Sequence, residues 1–397
     1  MSSEGSKERA LGAAGREFDL EELMERSRRI SIAAVTILLL VATSGCGRRG
    51  LSTELTASAG RDPKVVARLP VVGAGDPVLI GSRTIGVVSR EGRQVHLTTA
   101  DVSGEQPTGV DGLVQEFADP IVGLVSRTRG NTIFSFVETC SSPSVVTGDL
   151  ADRCSDVPTY ALIRFGLDGV VKETIQLPAK TGDLVDAWVT ESAIAVRIGG
   201  LLYLDRTGDA NGFAPIEEAG PATCLSGDLI VSLPPEASIP TQTTVDIGGS
   251  TRDKGAMDLP ARSLDGAPVR LIGSPEPVAI SCSPGEVVVA GSDGSLASVD
   301  TETHKSAPAA VNSGGRAILG TGTRTAGQLT SILRIRDSSR ALELLNADGS
   351  VATSLDLDGK SEDYRQQLLG ATYFDADGRV VAAALQKKTW SIVEVSK

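Results

Sequence analysis

Cysteine is the residue type in this 397-residue chain with the widest covalent repertoire, and it occurs at Cys46, Cys140, Cys154, Cys224 and Cys282. A thiol can carry a lipid, ligate a metal, act as a nucleophile or oxidise to a disulfide. No CxxC pair and no Cys/His spacing suited to zinc is present, which sets metal ligation aside. There are two histidines. His96 sits in the alternating run QVHLT and His304 in a turn, and a Ser–His–Asp triad would have to use one of them. No GxSxG elbow exists. The glycine runs Gly73-Ala74-Gly75 and Gly320-Thr321-Gly322-Thr323 lack the lysine of a phosphate loop. Gly359-Lys360-Ser361 ends like one, but Ser354 stands where its first glycine belongs. Asp375-Ala376-Asp377-Gly378 is a turn without the closing glutamate of a twelve-residue calcium loop. The expectation is no catalytic residue, no metal and no cofactor. Carboxylates are plentiful, so a paired acid/base site stays open as the alternative.

The chemistry of Cys46 depends on what precedes it. Glu25-Arg26-Ser27-Arg28-Arg29 is basic, Ile30–Ala42 is apolar, and Thr43-Ser44-Gly45 leads into Cys46. A charged stretch, a short apolar core and small residues describe a signal peptide over residues 24–45. The apolar run of 13 residues is shorter than the ~20 of a spanning helix. Small residues directly before a cysteine resemble the lipobox of bacterial lipoproteins. That resemblance implies a diacylglycerol on the Cys46 thiol, a palmitate-type acyl anchor and cleavage before Cys46. Thr43 departs from the leucine usual in that family. Two acyl chains hold a protein stably at a bilayer, at ~0.8 kcal/mol for each buried CH₂. The competing reading keeps 30–45 as an uncleaved anchor. Residues 1–23 are polar and precede a more typical start at Met24; they read as an upstream extension or a cytosolic segment.

With Cys46 lipidated, four cysteines remain in an exported chain, an even number that suggests two disulfides. Cys140 and Cys154 flank SSPSVVTGDLADR, where a local bridge is natural, leaving Cys224 with Cys282. Buried reduced thiols are the alternative for each pair.

Composition points to β-structure. Glycine reaches 44 residues while Phe, Trp and Tyr total 13, and Val, Thr and Ser recur, as in short strands joined by tight turns. The net charge is −12 with no Lys/Arg cluster after Arg49, which excludes a phosphate-neutralising nucleic-acid surface. Residues 46–61 are small and polar and read as a lipidated terminus and tether to a domain over 62–397.

Within that domain the recurring pattern is a short apolar run, a turn and another short apolar run. Units begin near 78, 120, 184, 222, 277, 316 and 369, spaced 38 to 64 residues apart, where a four-stranded blade needs roughly 40–50. The last unit has three strands, and KVVARLPVV (64–72) precedes the first without a partner. An amino-terminal strand completing the last blade closes a ring and removes exposed sheet edges. The expected fold is an all-β propeller of four-stranded antiparallel blades, seven rather than six or eight, with a β-sandwich pair as its rival. ATCLSGDLIV and ISCSPGEVVV place Cys224 and Cys282 at equivalent points of neighbouring units. GSDGSLASVDTETHK (291–305), GGLLYLDRTGD (199–209) and NADGSV (346–351) resemble the repeat of PQQ-like, quinoprotein-type propellers. The resemblance implies the architecture; quinone binding is not carried over, since the usual blade tryptophans are missing.

The function expected is that of an extracytoplasmic binding or scaffold propeller, held at the cell membrane by its lipid and meeting a protein partner in the cell envelope. The alternative is a glycan-active hydrolase or lyase on the same fold.

Overall fold

The computed structural model describes residues 64–69, 75–102, 110–144, 153–210, 212–216, 223–233, 244–246, 258–272, 277–283, 285–291, 296–310, 316–318, 324–326, 329–336, 339–345, 351–357, 371–376, 379–386 and 389–396. Cys46, the apolar run before it and the tether lie outside these residues.

Among the described residues, six sheets have four strands and one has six, all antiparallel between neighbours. Blade 1 comprises Gly75–Ile80, Thr84–Glu91, Gln94–Asp101 and Val110–Glu116. Blade 2 comprises Ile121–Arg129, Thr132–Thr139, Thr159–Phe165 and Val171–Gln176. Blade 3 comprises Leu184–Val189, Ile194–Ile198, Leu201–Asp205 and Ala214–Ile216. Blade 4 comprises Thr223–Ser226, Leu229–Ser232, Asp258–Ser263 and Pro268–Ile272. Blade 5 comprises Pro277–Ser283, Glu286–Gly291, Leu296–Asp300 and Ser306–Ala310. In blade 6, Leu329–Arg336, Ser339–Leu345 and Val351–Leu357 follow a first strand in two pieces, Arg316–Ile318 and Arg324–Ala326. Blade 7 comprises Ala371–Ala376, Arg379–Gln386 and Thr389–Ser396, and its fourth strand is Lys64–Leu69 from the other end of the domain.

That last pairing closes the ring. Lys64 faces Glu394 and Leu69 faces Trp390, with one bulge between Val65 and Ala67. The apolar clusters show blades packed face to face in sequence. One joins blades 7 and 1 through Leu69, Ile85, Val381 and Trp390. The next join blades 1 and 2, blades 2 and 3, and blades 3, 4 and 5. First strands of successive blades touch from blade 1 to blade 5, and the first strand of blade 7 touches that of blade 1. Separate four-stranded sheets repeated around a ring in this way form a β-propeller. The seven-unit reading and the amino-terminal closing strand hold.

Burial follows from the position of a strand in its blade. Thr132–Thr139, sandwiched between two neighbouring blades, is buried at nearly every residue (iBBBBBBB) and reads as TIFSFVET, with apolar and hydroxyl side chains on both faces. The outermost strand of the same blade, VKETIQ, alternates between half-buried and exposed, because one face meets solvent. Blade 4 departs from the simple pattern. Between its second and third strands lies a long insertion, from which Thr244–Asp246 pairs with Arg316–Ile318 of blade 6.

Candidate functional site

In each blade the first strand is innermost, so its side chains line the channel or the seam to the next blade. Three such strands bring charged residues together. Asp76 comes from GDPVLI in blade 1, Arg127 from IVGLVSRTR in blade 2 and Asp186 from LVDAWV in blade 3. Arg127 Nη1 donates to Asp76 Oδ2 at 3.0 Å, and Nη2 donates to Asp186 Oδ1 at 2.5 Å. Its Nε donates to the Ala187 carbonyl at 2.8 Å, and Nη1 also reaches the Ser126 carbonyl. Asp76 Oδ2 accepts the Ser126 amide as well, at 2.5 Å. One guanidinium therefore ties three blades together at their inner strands, and its planar fork suits two carboxylates at once.

Burial sets the protonation of this group. Desolvation pushes the Asp76 carboxyl up to about 6, against the opposing pull of Arg127 and the Ser126 amide. The two carboxylates outweigh desolvation at Arg127 and hold it protonated. Asp186 also faces Arg197 across the strand pair, and Arg197 lies over the Trp188 ring at 5.8 Å.

A second buried carboxylate belongs to Glu138, at the end of the second strand of blade 2. Burial raises it to about 7, with Asp183 adding to the rise and Arg90 opposing it. Its Oε2 accepts the Leu184 amide of blade 3 at 2.9 Å. Close by, the Tyr160 hydroxyl donates to the Gly182 carbonyl, and burial with the charges of Glu138 and Asp183 raises its pKa. Gly182 has φ 108, and a Cβ there would lie 2.8 Å from Gly199 Cα, so the position admits only glycine.

Cys140, Cys154, Cys224 and Cys282 pair as the sequence suggests. Cys140 and Cys154 are bonded with Cα atoms 5.5 Å apart, closing a hairpin inserted in blade 2 whose Pro143–Ser144 pairs with Arg153–Cys154. Cys224 and Cys282 are bonded with Cα atoms 5.9 Å apart, joining the first strands of blades 4 and 5. His96 lies in the third strand of blade 1 beside Ser89 and Leu113, and His304 is exposed in a turn at φ 56. The two belong to blades 1 and 5. Gly359-Lys360-Ser361 and Gly320–Thr323 lie outside the described residues, as does Asp377-Gly378.

Sequence reasoning missed Asp76, Arg127, Asp186 and Glu138. The available signal was a charge at a position of an apolar strand that alternation assigns to the interior, as in LVDAWV. The pairing of those charges depends on which blades are neighbours at the axis.

No protein-family model matches the chain. No curated protein matches it either. Solved structures do. The computationally designed Ika8 protein is similar at 10% identity and a TM-score of 0.44, over 83% of this chain and 99% of that one. The β-propeller domain of Cps50 (Swd1) from Myceliophteria thermophila is similar at 10% identity and a TM-score of 0.45, over the same shares.

Proposed function

We propose that the chain is an extracytoplasmic lipoprotein whose propeller binds or scaffolds a protein partner in the cell envelope, anchored through Cys46. The observation that carries the reading is the pair of disulfides at Cys140–Cys154 and Cys224–Cys282. Two bridges formed among four cysteines fit an oxidising compartment, which matches the export signal before Cys46. The inner charges support binding over catalysis. Asp76, Arg127 and Asp186 are bonded to one another and to backbone, so their chemistry is directed at holding blades. The loops around the ring are the surfaces left to meet a partner.

Crosslinking in intact cells tests this. A photoreactive residue in the disulfide-closed hairpin, at Ser142, is expected to capture a defined envelope protein. A variant carrying the photoreactive residue at Thr303, in a turn of blade 5, is expected to give a different pattern or none. Identical, non-specific adducts from both sites would count against the reading.

Glu138 favours the second reading, a glycan-active enzyme. A carboxyl raised to about 7 beside Asp183 and Arg90 is suited to general acid chemistry. Glu138→Gln abolishing turnover of a glycan without loss of folding would replace the scaffold reading with this one.

A further inference from the structure

The geometry points to a binding site for a hard divalent cation of the calcium class in the loop that follows the third strand of blade 3. This inference stands independently of the anchor and of the scaffold role.

The observation behind it is Asp205. The residue is fully buried, at 0% exposure. Its Oδ1 accepts two bonds, from the Thr207 amide at 2.9 Å and the Thr207 hydroxyl at 2.7 Å. Its Oδ2 is buried with no hydrogen-bond partner. An ionised carboxylate oxygen enclosed without a donor is costly, and a bound ion or water is the ordinary remedy.

Blade 5 shows what the same turn looks like without this feature. Asp300 ends its third strand as Asp205 does in blade 3, and Asp300 Oδ1 accepts the Glu302 and Thr303 amides at 2.9 and 2.7 Å. There the next strand begins after five residues (301–305), and Asp300 is exposed. In blade 3 the next strand begins after eight residues (206–213), and Asp205 is buried. The described residues of this connection are held by several contacts. Arg129 donates to the Gly208 carbonyl at 2.9 Å and Arg164 to the Asp209 carbonyl at 3.3 Å. Ala210 is buried in the seam of blades 2 and 3 at φ 66, and Phe213 meets Phe136 edge-on. A Cβ on Gly212 would stand 3.5 Å from Asp205 Oδ1.

Within the described part of this loop, Asp205, Thr207 and Asp209 place a side-chain oxygen at every second residue. That alternation suits a cation coordinated by oxygens from one tight loop. Asp205 supplies the buried oxygen, and Asp209, exposed four residues on, supplies charge at the solvent side. Among the described residues no three His, Cys, Asp or Glu side chains gather at one point, so carbonyl oxygens and water complete the shell. Two guanidinium groups lie near the loop. Arg164 is paired with Glu173 at 2.8 Å, and Arg129 is turned to the Thr190, Glu191 and Gly208 carbonyls. Two carboxylates against these cations give a weak site, with a Kd on the order of 10⁻⁴–10⁻³ M, and calcium should exceed magnesium, which demands a stricter octahedron.

Calorimetric titration of calcium chloride into the full chain, purified in detergent and freed of metal with EDTA, tests the site. One saturable binding event is expected, with magnesium weaker. Asp209→Asn should weaken calcium binding about fivefold or more, since a charged ligand is lost. Asp205→Asn should abolish it, and Asp300→Asn in the equivalent turn of blade 5 should leave it unchanged. Absence of a saturable event in the parent overturns the proposal. So does unaltered binding in Asp209→Asn, a variant at an exposed position that decides the matter even where Asp205→Asn fails to fold.

Discussion

Replacing Arg127 with methionine separates a structural lock from an incidental ion pair. The change keeps much of the side chain's apolar length and removes its charge. It leaves Asp76, whose side chain is 6% exposed, and Asp186, at 15%, facing one another without their shared partner. Breaking a buried pair by deleting one member costs about 3–5 kcal/mol, because the remaining charge stays buried. This cost depends on pH in a direction the structure fixes. The Asp76 carboxyl titrates at about 6 in the folded chain. At pH 8 it is ionised, and the full loss of about 3–5 kcal/mol is expected. At pH 5 it is neutral with or without Arg127, so the loss falls to about 1–3 kcal/mol, from the bonds to Asp186 and the Ala187 carbonyl. Urea unfolding of the full chain in detergent, followed by tryptophan fluorescence, reads both values. Trp188 sits two residues from Asp186 and reports on this seam. Arg127→Lys should lose less, since it keeps a charge but not the two-pronged geometry. An Arg127→Met chain that unfolds at the parent's urea midpoint at both pH values would refute the lock. Equal losses at pH 5 and pH 8 would refute the assigned role of Asp76.

The parent itself should grow less stable as pH rises from 4 to 8. Asp76 at about 6 and Glu138 at about 7 both lie above their unfolded values, so the folded state holds these protons more tightly. Each contributes up to ~3 kcal/mol that is present below pH 4 to 5 and lost by pH 7 to 8, and Glu138→Gln should flatten the melting-temperature profile over that range. Serine at both Cys140 and Cys154 should cost about 3 kcal/mol, and at both Cys224 and Cys282 about 4, by the entropy of the loops they close; denaturant titration with and without reductant distinguishes the two. Gly182→Ala should destabilise by more than 2 kcal/mol, since the new Cβ meets the Gly199 backbone at 2.8 Å and the backbone is held at φ 108; thermal melting that matches the parent would contradict the close approach of these two loops.

Much of the fold is legible in the sequence because it is written in short-range signals. Turn residues and strand-length apolar runs mark most of the blades. The unpaired KVVARLPVV and the three-strand last unit jointly imply the closing strand seen at Lys64–Leu69. Blade 4 is harder to read. Its third and fourth strands, DLPARS and PVRLI, carry two prolines and follow a long stretch rich in turn-forming residues. Nothing local signals that Thr244–Asp246 pairs two blades away. The Asp76–Arg127–Asp186 group is invisible for the same reason: its members are 51 and 59 residues apart along the chain, and only the ring brings them together. The cysteine pairing could be read because Cys224 and Cys282 occupy matching strands of adjacent repeats.

Intact-mass analysis of the chain extracted from membranes tests the lipoprotein account most directly. The expected result is a protein starting at Cys46 with the added mass of a diacylglyceryl group, which Cys46→Ser removes. A chain that retains residues 24–45 and carries an unmodified thiol at position 46 would contradict it.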